Sequence, residues 1–191
     1  MQNTIDREEY RLYIVVSQPG TILSRLLKII TGAPYNHVSV SLDRELRTMY
    51  SFGRRNPYNP VWGGFVMESP HRGTFKRFPG TEAAVICLAI SGEQYQEIMT
   101  YLTSMFYERE KYGYNYLGLF LAAFHIRHLS KNRYYCSEFV KDLLIRFHVA
   151  DADQFCPITQ PVHFLGIANG RVIYHGRLKN YGGWSRRTGG Y

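Results

Sequence analysis

The stretch Asn36-His37-Val38-Ser39-Val40-Ser41-Leu42 decides the fold. Its residues alternate strictly: Val38, Val40 and Leu42 fall on one face, His37, Ser39 and Ser41 on the other, which is the two-residue period of a half-buried strand. An imidazole therefore stands on the polar side of a rigid element. Asp43 to Leu46 supplies a charged turn and Thr48 to Phe52 returns, which predicts an antiparallel hairpin. Upstream, Leu12 to Val16 is a short β-branched run closed by Gln18-Pro19-Gly20, read as a buried strand and a turn. Thr21 then stands where a helix cap belongs, and Ile22, Leu23, Leu26, Leu27 and Ile30 recur at helical spacing.

Downstream, Gly53 to Gly64 reads as a long loop, and Phe65 to Glu68 and Ala83 to Ile90 as further strands, the second nearly all apolar and hence interior. Ser91, with Glu93 and Gln94 behind it, opens a long helix whose apolar stripe is Tyr95, Ile98, Met99, Leu102 and Phe106. Tyr114 to Ile126 predicts a second, more apolar helix. Tyr134-Tyr135-Cys136-Ser137-Glu138 begins a third, with Phe139, Val140, Leu143, Leu144 and Phe147 on its buried side and Asp142 and Arg146 paired on the other. Val172 to His175 is a short late strand candidate. Together these elements predict an α+β fold, a mostly antiparallel sheet packed against helices. Residues 1–170 are expected to form one domain, and 171–191 a basic C-terminal tail.

A chain of 191 residues with 45% hydrophobic and 20% charged residues has globular values, which argues against disorder and fibrous repeats. Its longest mostly apolar stretch, Tyr116 to Ile126, is too short to span a bilayer, and the opening MQNTIDREEYR has no apolar signal core. A cytoplasmic location is the expectation. Cys87, Cys136 and Cys156 include no Cys-x-x-Cys pair, so neither a disulfide framework nor a structural zinc site is expected. No phosphate-binding glycine loop, His-Glu-x-x-His or nucleotide fingerprint is present, and no metal, cofactor or specific nucleic-acid partner is implied. The net charge is +8, and Arg171 to Tyr191 holds five Arg or Lys and no Asp or Glu, a distribution suited to an anionic surface.

Cys136 is the most informative residue, because a helix start leaves N–H groups free and its dipole favours a thiolate. Such a nucleophile needs an imidazole partner. His125 and His128 end an apolar helix, His71 and His175 lie in polar segments containing glycine, His148 ends a helix, and nothing specifies His163. His37 alone begins a well-defined strand. Tyr35, Tyr134 and Tyr135 are candidate walls of a substrate cleft, and Arg54, Arg55 and Trp62 on the long loop are candidates to cover it.

The Asn-His-Val-Ser-Val strand, the polar strand after it and the later Tyr-Cys-Ser-Glu-Phe-Val at a helix start resemble the circularly permuted branch of the NlpC-type papain-like superfamily, which includes bacterial hydrolases (YiiX-like) and the lecithin:retinol acyltransferase-like proteins. The resemblance covers roughly Leu12 to Phe164. It implies a permuted papain-like fold, Cys136 as nucleophile and His37 as general base. The family's orienting residue comes from the strand after the histidine strand; the matching position is about Ser51, with Glu68 on a later strand or a backbone carbonyl as alternatives. The implied activity is thiol-dependent hydrolysis or acyl transfer on amide, ester or thioester bonds. Substrates carrying an apolar or acyl portion are expected slightly ahead of cell-wall peptides, and a non-catalytic binding module of the same fold is the other reading.

Overall fold

The computed structural model describes residues 10–186, apart from 22–23, 25–27, 30–31, 57, 60–61, 124–125, 127 and 129. The charged N-terminal stretch, the helix expected from Ile22, Leu23, Leu26, Leu27 and Ile30, and His125 lie outside the described residues.

The alternating segments form one eight-stranded sheet. Its strands are β1 (Arg11–Gln18), β2 (His37–Ser41), β3 (Met49–Arg54), β4 (Gly63–Glu68), β5 (Glu82–Ala89), β6 (Gly113–Tyr114), β7 (Arg133–Tyr134) and β8 (Gly170–Arg177). They lie in the order β7-β6-β4-β3-β2-β1-β5-β8, antiparallel throughout except for the parallel pair β6 and β7. Among the described residues four α-helices complete the α+β fold: α1 (Gly73–Arg77), α2 (Gly92–Tyr107), α3 (Tyr116–Ala123) and α4 (Cys136–Arg146). Short 3₁₀ turns fill the connections.

β1 shows why an unbroken apolar run is needed. It pairs on one side with β2, Val16 opposite Val38 and Ser17 opposite His37, and on the other with all of β5. Its two side-chain rows are both buried. Leu12, Ile14 and Val16 join Val38, Val40, Phe52 and Phe65 in the larger core. Tyr13 and Val15 join Met49, Phe75, Val85, Leu178 and Tyr181 in a second one. α2 starts at Ser91, whose hydroxyl accepts from the Gln94 N–H at 3.0 Å while the Gln94 side chain accepts from the Ser91 N–H at 2.8 Å, a reciprocal cap. α4 buries Phe139, Val140, Leu143 and Leu144 on the larger core, its Phe139 ring 5.3 Å from Phe52 and 5.6 Å from Phe65. That packing fixes where the helix starts, and so where Cys136 sits.

The structure corrects three expectations. The helix predicted from Tyr114 starts at Tyr116, because Asn115 caps it, its Oδ1 accepting from the Gly118 N–H at 2.9 Å; Tyr114 lies in β6 instead. The loop expected over Gly53 to Gly64 is shorter, since β3 runs through Arg54, β4 starts at Gly63, and the Arg55 N–H meets the Trp62 carbonyl at 2.9 Å. The boundary expected after residue 170 would cut away β8, which pairs with β5 over its length, and also Leu178 and Tyr181, which are buried. Arg171 and Arg177 thus stand on the exposed edge strand of a sheet, where charge blocks pairing with other chains. Among the described residues, no helix is long and apolar enough to cross a membrane.

Candidate active site

Two elements deliver the central pair. β2 begins at His37, held in place because the Asn36 N–H donates to Ser17 O at 3.2 Å and the Asn36 Oδ1 accepts from Ser24 Oγ at 2.7 Å. α4 begins at Cys136, whose Sγ lies 4.0 Å from the Asn36 carbonyl. The thiol therefore faces the start of β2, near enough to the His37 ring to help keep it protonated. His37 Nε2 is engaged by Glu68, 2.9 Å from its Oε2, so Nδ1 is the ring nitrogen not taken by the carboxylate. The same carboxylate oxygen accepts from Ser39 Oγ at 2.7 Å. Both partners are nearly out of solvent, with side chains 12% and 13% exposed.

The electrostatics follow from that enclosure. Burial works against a charged His37 ring, but the Glu68 charge, with hydrogen bonds to Cys136 and Glu68, outweighs it and pushes the imidazole up to about 10 from 6.5. Burial also opposes the Glu68 carboxylate, yet His37, Ser39 and the Arg54 charge hold it below its ordinary range. The pair is thus an imidazolium and a carboxylate at neutral pH.

Of the residues considered for the orienting position, Glu68 touches the ring and Ser51 does not. Ser51 is on the same sheet face, but its hydroxyl donates to Val38 O at 2.6 Å across the β2 and β3 ladder. A serine ends one bond beyond Cβ and is satisfied by that neighbouring carbonyl. Glutamate on β4 has the length to reach back across β3, and the residue it crosses is Gly53. A Cβ at Gly53 would stand 3.5 Å from Glu68 Oε1 and 3.6 Å from His37 Cε1, directly against the pair. The sequence signal for Glu68 is a single carboxylate closing an otherwise apolar strand.

Two small cavities flank the pair. One, about 50 Å³, lies on the Cys136 side and is walled by Ala33, Tyr35, Leu119, Ala122, Tyr135 and Ile158. The other, about 60 Å³, lies on the His37 side, with Glu68, Gly53, Arg54, Phe75, Tyr114 and Tyr116 around it. Tyr35 and Tyr135 are thus cavity walls beside Cys136, and the Tyr35 hydroxyl is tied to His175 Nε2 on β8 at 2.7 Å. Tyr134 is elsewhere: its ring packs 5.1 Å from Phe52 and borders a separate groove with Glu138 and Lys141. Of the residues expected to cover the cleft, Arg54 is a wall of the His37-side cavity. Arg55 is held by Glu110 at 2.5 Å, and Trp62 is half exposed. Tyr114 was not singled out as a catalytic residue by its sequence context. Burial, with the nearby Cys136 and Tyr116 charges, raises its phenol well above 10, so it remains a donor. The Asn115 cap was the available signal that Tyr114 precedes the helix.

No protein-family model and no curated protein matches the chain.

Proposed function

We propose that the chain is a cysteine-dependent hydrolase or acyltransferase with a circularly permuted NlpC-type papain-like fold, acting on amide, ester or thioester bonds. The observation that carries this reading is the Cys136 thiol at the start of α4, facing Asn36 at the start of β2, beside a His37 ring whose Nε2 is held by Glu68. The histidine strand precedes the cysteine helix in the chain, as in the permuted branch. Cys136 Sγ attacks the substrate carbonyl carbon, and the carbonyl electrons move to oxygen. The first N–H groups of α4, which intrahelical bonding leaves free, and the Tyr114 hydroxyl are the donors suited to that oxyanion. The His37 proton then passes to the leaving amine, alcohol or thiol as its bond to carbon breaks, leaving a thioester on Cys136. Neutral His37 next takes a proton from water or another acceptor, whose oxygen, nitrogen or sulfur displaces Sγ, and the charged ring and thiolate are restored.

The apolar cavity beside Cys136 favours substrates whose acyl part is apolar. The test is intact-mass analysis after exposure to activated acyl esters, acyl thioesters and acylated short peptides. At least one class should leave its acyl mass on the wild type at Cys136, and none should do so on Cys136→Ala. No adduct from any class, or an equal one on Cys136→Ala, would remove the catalytic reading in favour of a binding module.

A further inference from the structure

Arg54 ends β3 between two spaces, the cavity over His37 and Glu68 and a groove of about 340 Å³ beyond it. Its position is unusual for a guanidinium. Nη2 is buried with no hydrogen-bond partner, and among the described residues Arg54 takes part in no ion pair. Neighbouring Arg55 also has one buried nitrogen, Nε, without a partner, but its fork is bound to Glu110 and donates to Tyr112 O at 3.0 Å, whereas Arg54 has no such acceptor among the described residues. Glu68 faces the same cavity, but its Oε2 is taken by His37 and Ser39. Burial draws Arg54 below its ordinary range, and the Tyr116 and Glu68 charges only partly oppose this. An arginine does not shed its proton at such a site, so one nitrogen of a half-buried charged fork, Nη2, is held out of water without an acceptor. Arg72, exposed on the groove wall, adds a second cation with no ion pair among the described residues, and Thr74 lines both spaces.

We infer that Arg54 anchors an anion subsite, taking a carboxylate or phosphate carried by the substrate on the His37 side of the scissile bond. The anion site stands on Arg54 itself, and its place beside a scissile bond rests on the catalytic reading. The planar fork of a guanidinium suits two oxygens of one oxyanion, and an anion there would give Nη2 the acceptor it lacks. With the acyl part in the apolar cavity beside Cys136, the anionic group belongs to the leaving portion. Neutral leaving groups would leave Arg54 unsatisfied, so the subsite selects against them.

The experiment is titration calorimetry of the full chain with inorganic phosphate, acetate and acetamide at fixed ionic strength, on the wild type, Arg54→Gln, Arg54→Met and Cys136→Ala. Phosphate or acetate should bind saturably in the millimolar range and acetamide should not. The tighter of the two anions identifies which oxyanion the site prefers. Both Arg54 variants should lose at least about tenfold in affinity, equivalent to ~1.4 kcal/mol, and Cys136→Ala should lose none. Arg54→Met keeps the packing of the aliphatic stem, so it decides the point if Arg54→Gln melts lower. Absence of saturable anion binding to the wild type, or unchanged binding in the better-folded Arg54 variant, overturns the subsite. Anion binding without any acyl adduct at Cys136 would leave the subsite standing and remove the catalytic reading.

Discussion

Replacing Glu68 by Gln should uncouple His37 more completely than any other single change. The amide keeps the shape of the side chain and can still meet the ring, but it removes the charge that holds the imidazole up at about 10. At pH 7 a folded ring at about 10 keeps its proton, whereas an unfolded one at 6.5 has lost most of it. Each pH unit corresponds to 1.36 kcal/mol, so the pair supplies up to ~4 kcal/mol at pH 7. Removing one partner of a buried ion pair typically costs about 3–5 kcal/mol, an independent figure of the same size. Without the charge, burial remains and His37 should titrate at or below the ordinary imidazole range. NMR titration of the ring, with denaturant melts at pH 7, reads both effects. Ser51→Ala is the comparator: its hydroxyl serves Val38 O, so it should cost about 0.5–1.5 kcal/mol and leave the His37 titration alone. If Glu68→Gln leaves the ring titration where it is in the wild type, or Ser51→Ala moves it as far, the orienting role of Glu68 is refuted.

The wild type should show the same linkage in its pH dependence. The His37 contribution is complete below 6.5 and lost as pH rises through about 10, with a maximum slope of about 1.4 kcal/mol per pH unit; the Glu68 contribution is present above the ordinary carboxylate range and lost as pH falls through its depressed value. Denaturant midpoints from acid to alkaline pH check both limbs, and a flat alkaline limb would contradict the first. Gly53→Val should wedge His37 from Glu68, because the Cβ alone would reach van der Waals contact with both. Acyl transfer to Cys136 should fall at least about tenfold, a loss of ~1.4 kcal/mol in the barrier, while the far-UV spectrum is kept; unchanged acylation would show that β3 yields there. Truncation after Gly170 should cost at least on the order of 3–6 kcal/mol from Leu178 and Tyr181 alone, at about 1.5–3 kcal/mol per buried side chain. A truncated chain that melts with the wild type would mean that β8 is dispensable.

What the sequence made legible was local. The period of two in β2, the apolar run of β5, the reciprocal cap at Ser91 and the stripe of α4 are all set by neighbours in the chain, and all form as read. Cys136 at a helix start and His37 at a strand start belong to the same class. The contact between His37 and Glu68 could not be read that way, because it depends on β2, β3 and β4 lying in that order and on a glycine between the two side chains. Ser51, matched by position, occupies the right face with too short a reach. β8 was legible only over Val172 to His175, and its place in the domain was missed for another reason: the residues of an exposed edge strand are charged like those of a solvated end, and only pairing with β5 separates the two. The two-residue strands β6 and β7 carry no period at all, so the aromatic cluster around Tyr114 suggested a cleft residue but not the strand that brings it to the site.

The most direct test of the central claim is the rate at which iodoacetamide labels each cysteine near neutral pH, followed by peptide mass analysis in the wild type and His37→Ala. Accessibility alone orders them Cys156, Cys87, Cys136, since these are exposed, intermediate and buried. A Cys136 paired with His37 at the start of α4 should reverse that order, labelling first despite being only 2% exposed, and should lose its lead in His37→Ala. Labelling of Cys136 no faster than Cys156, or a lead that survives His37→Ala, would contradict the account.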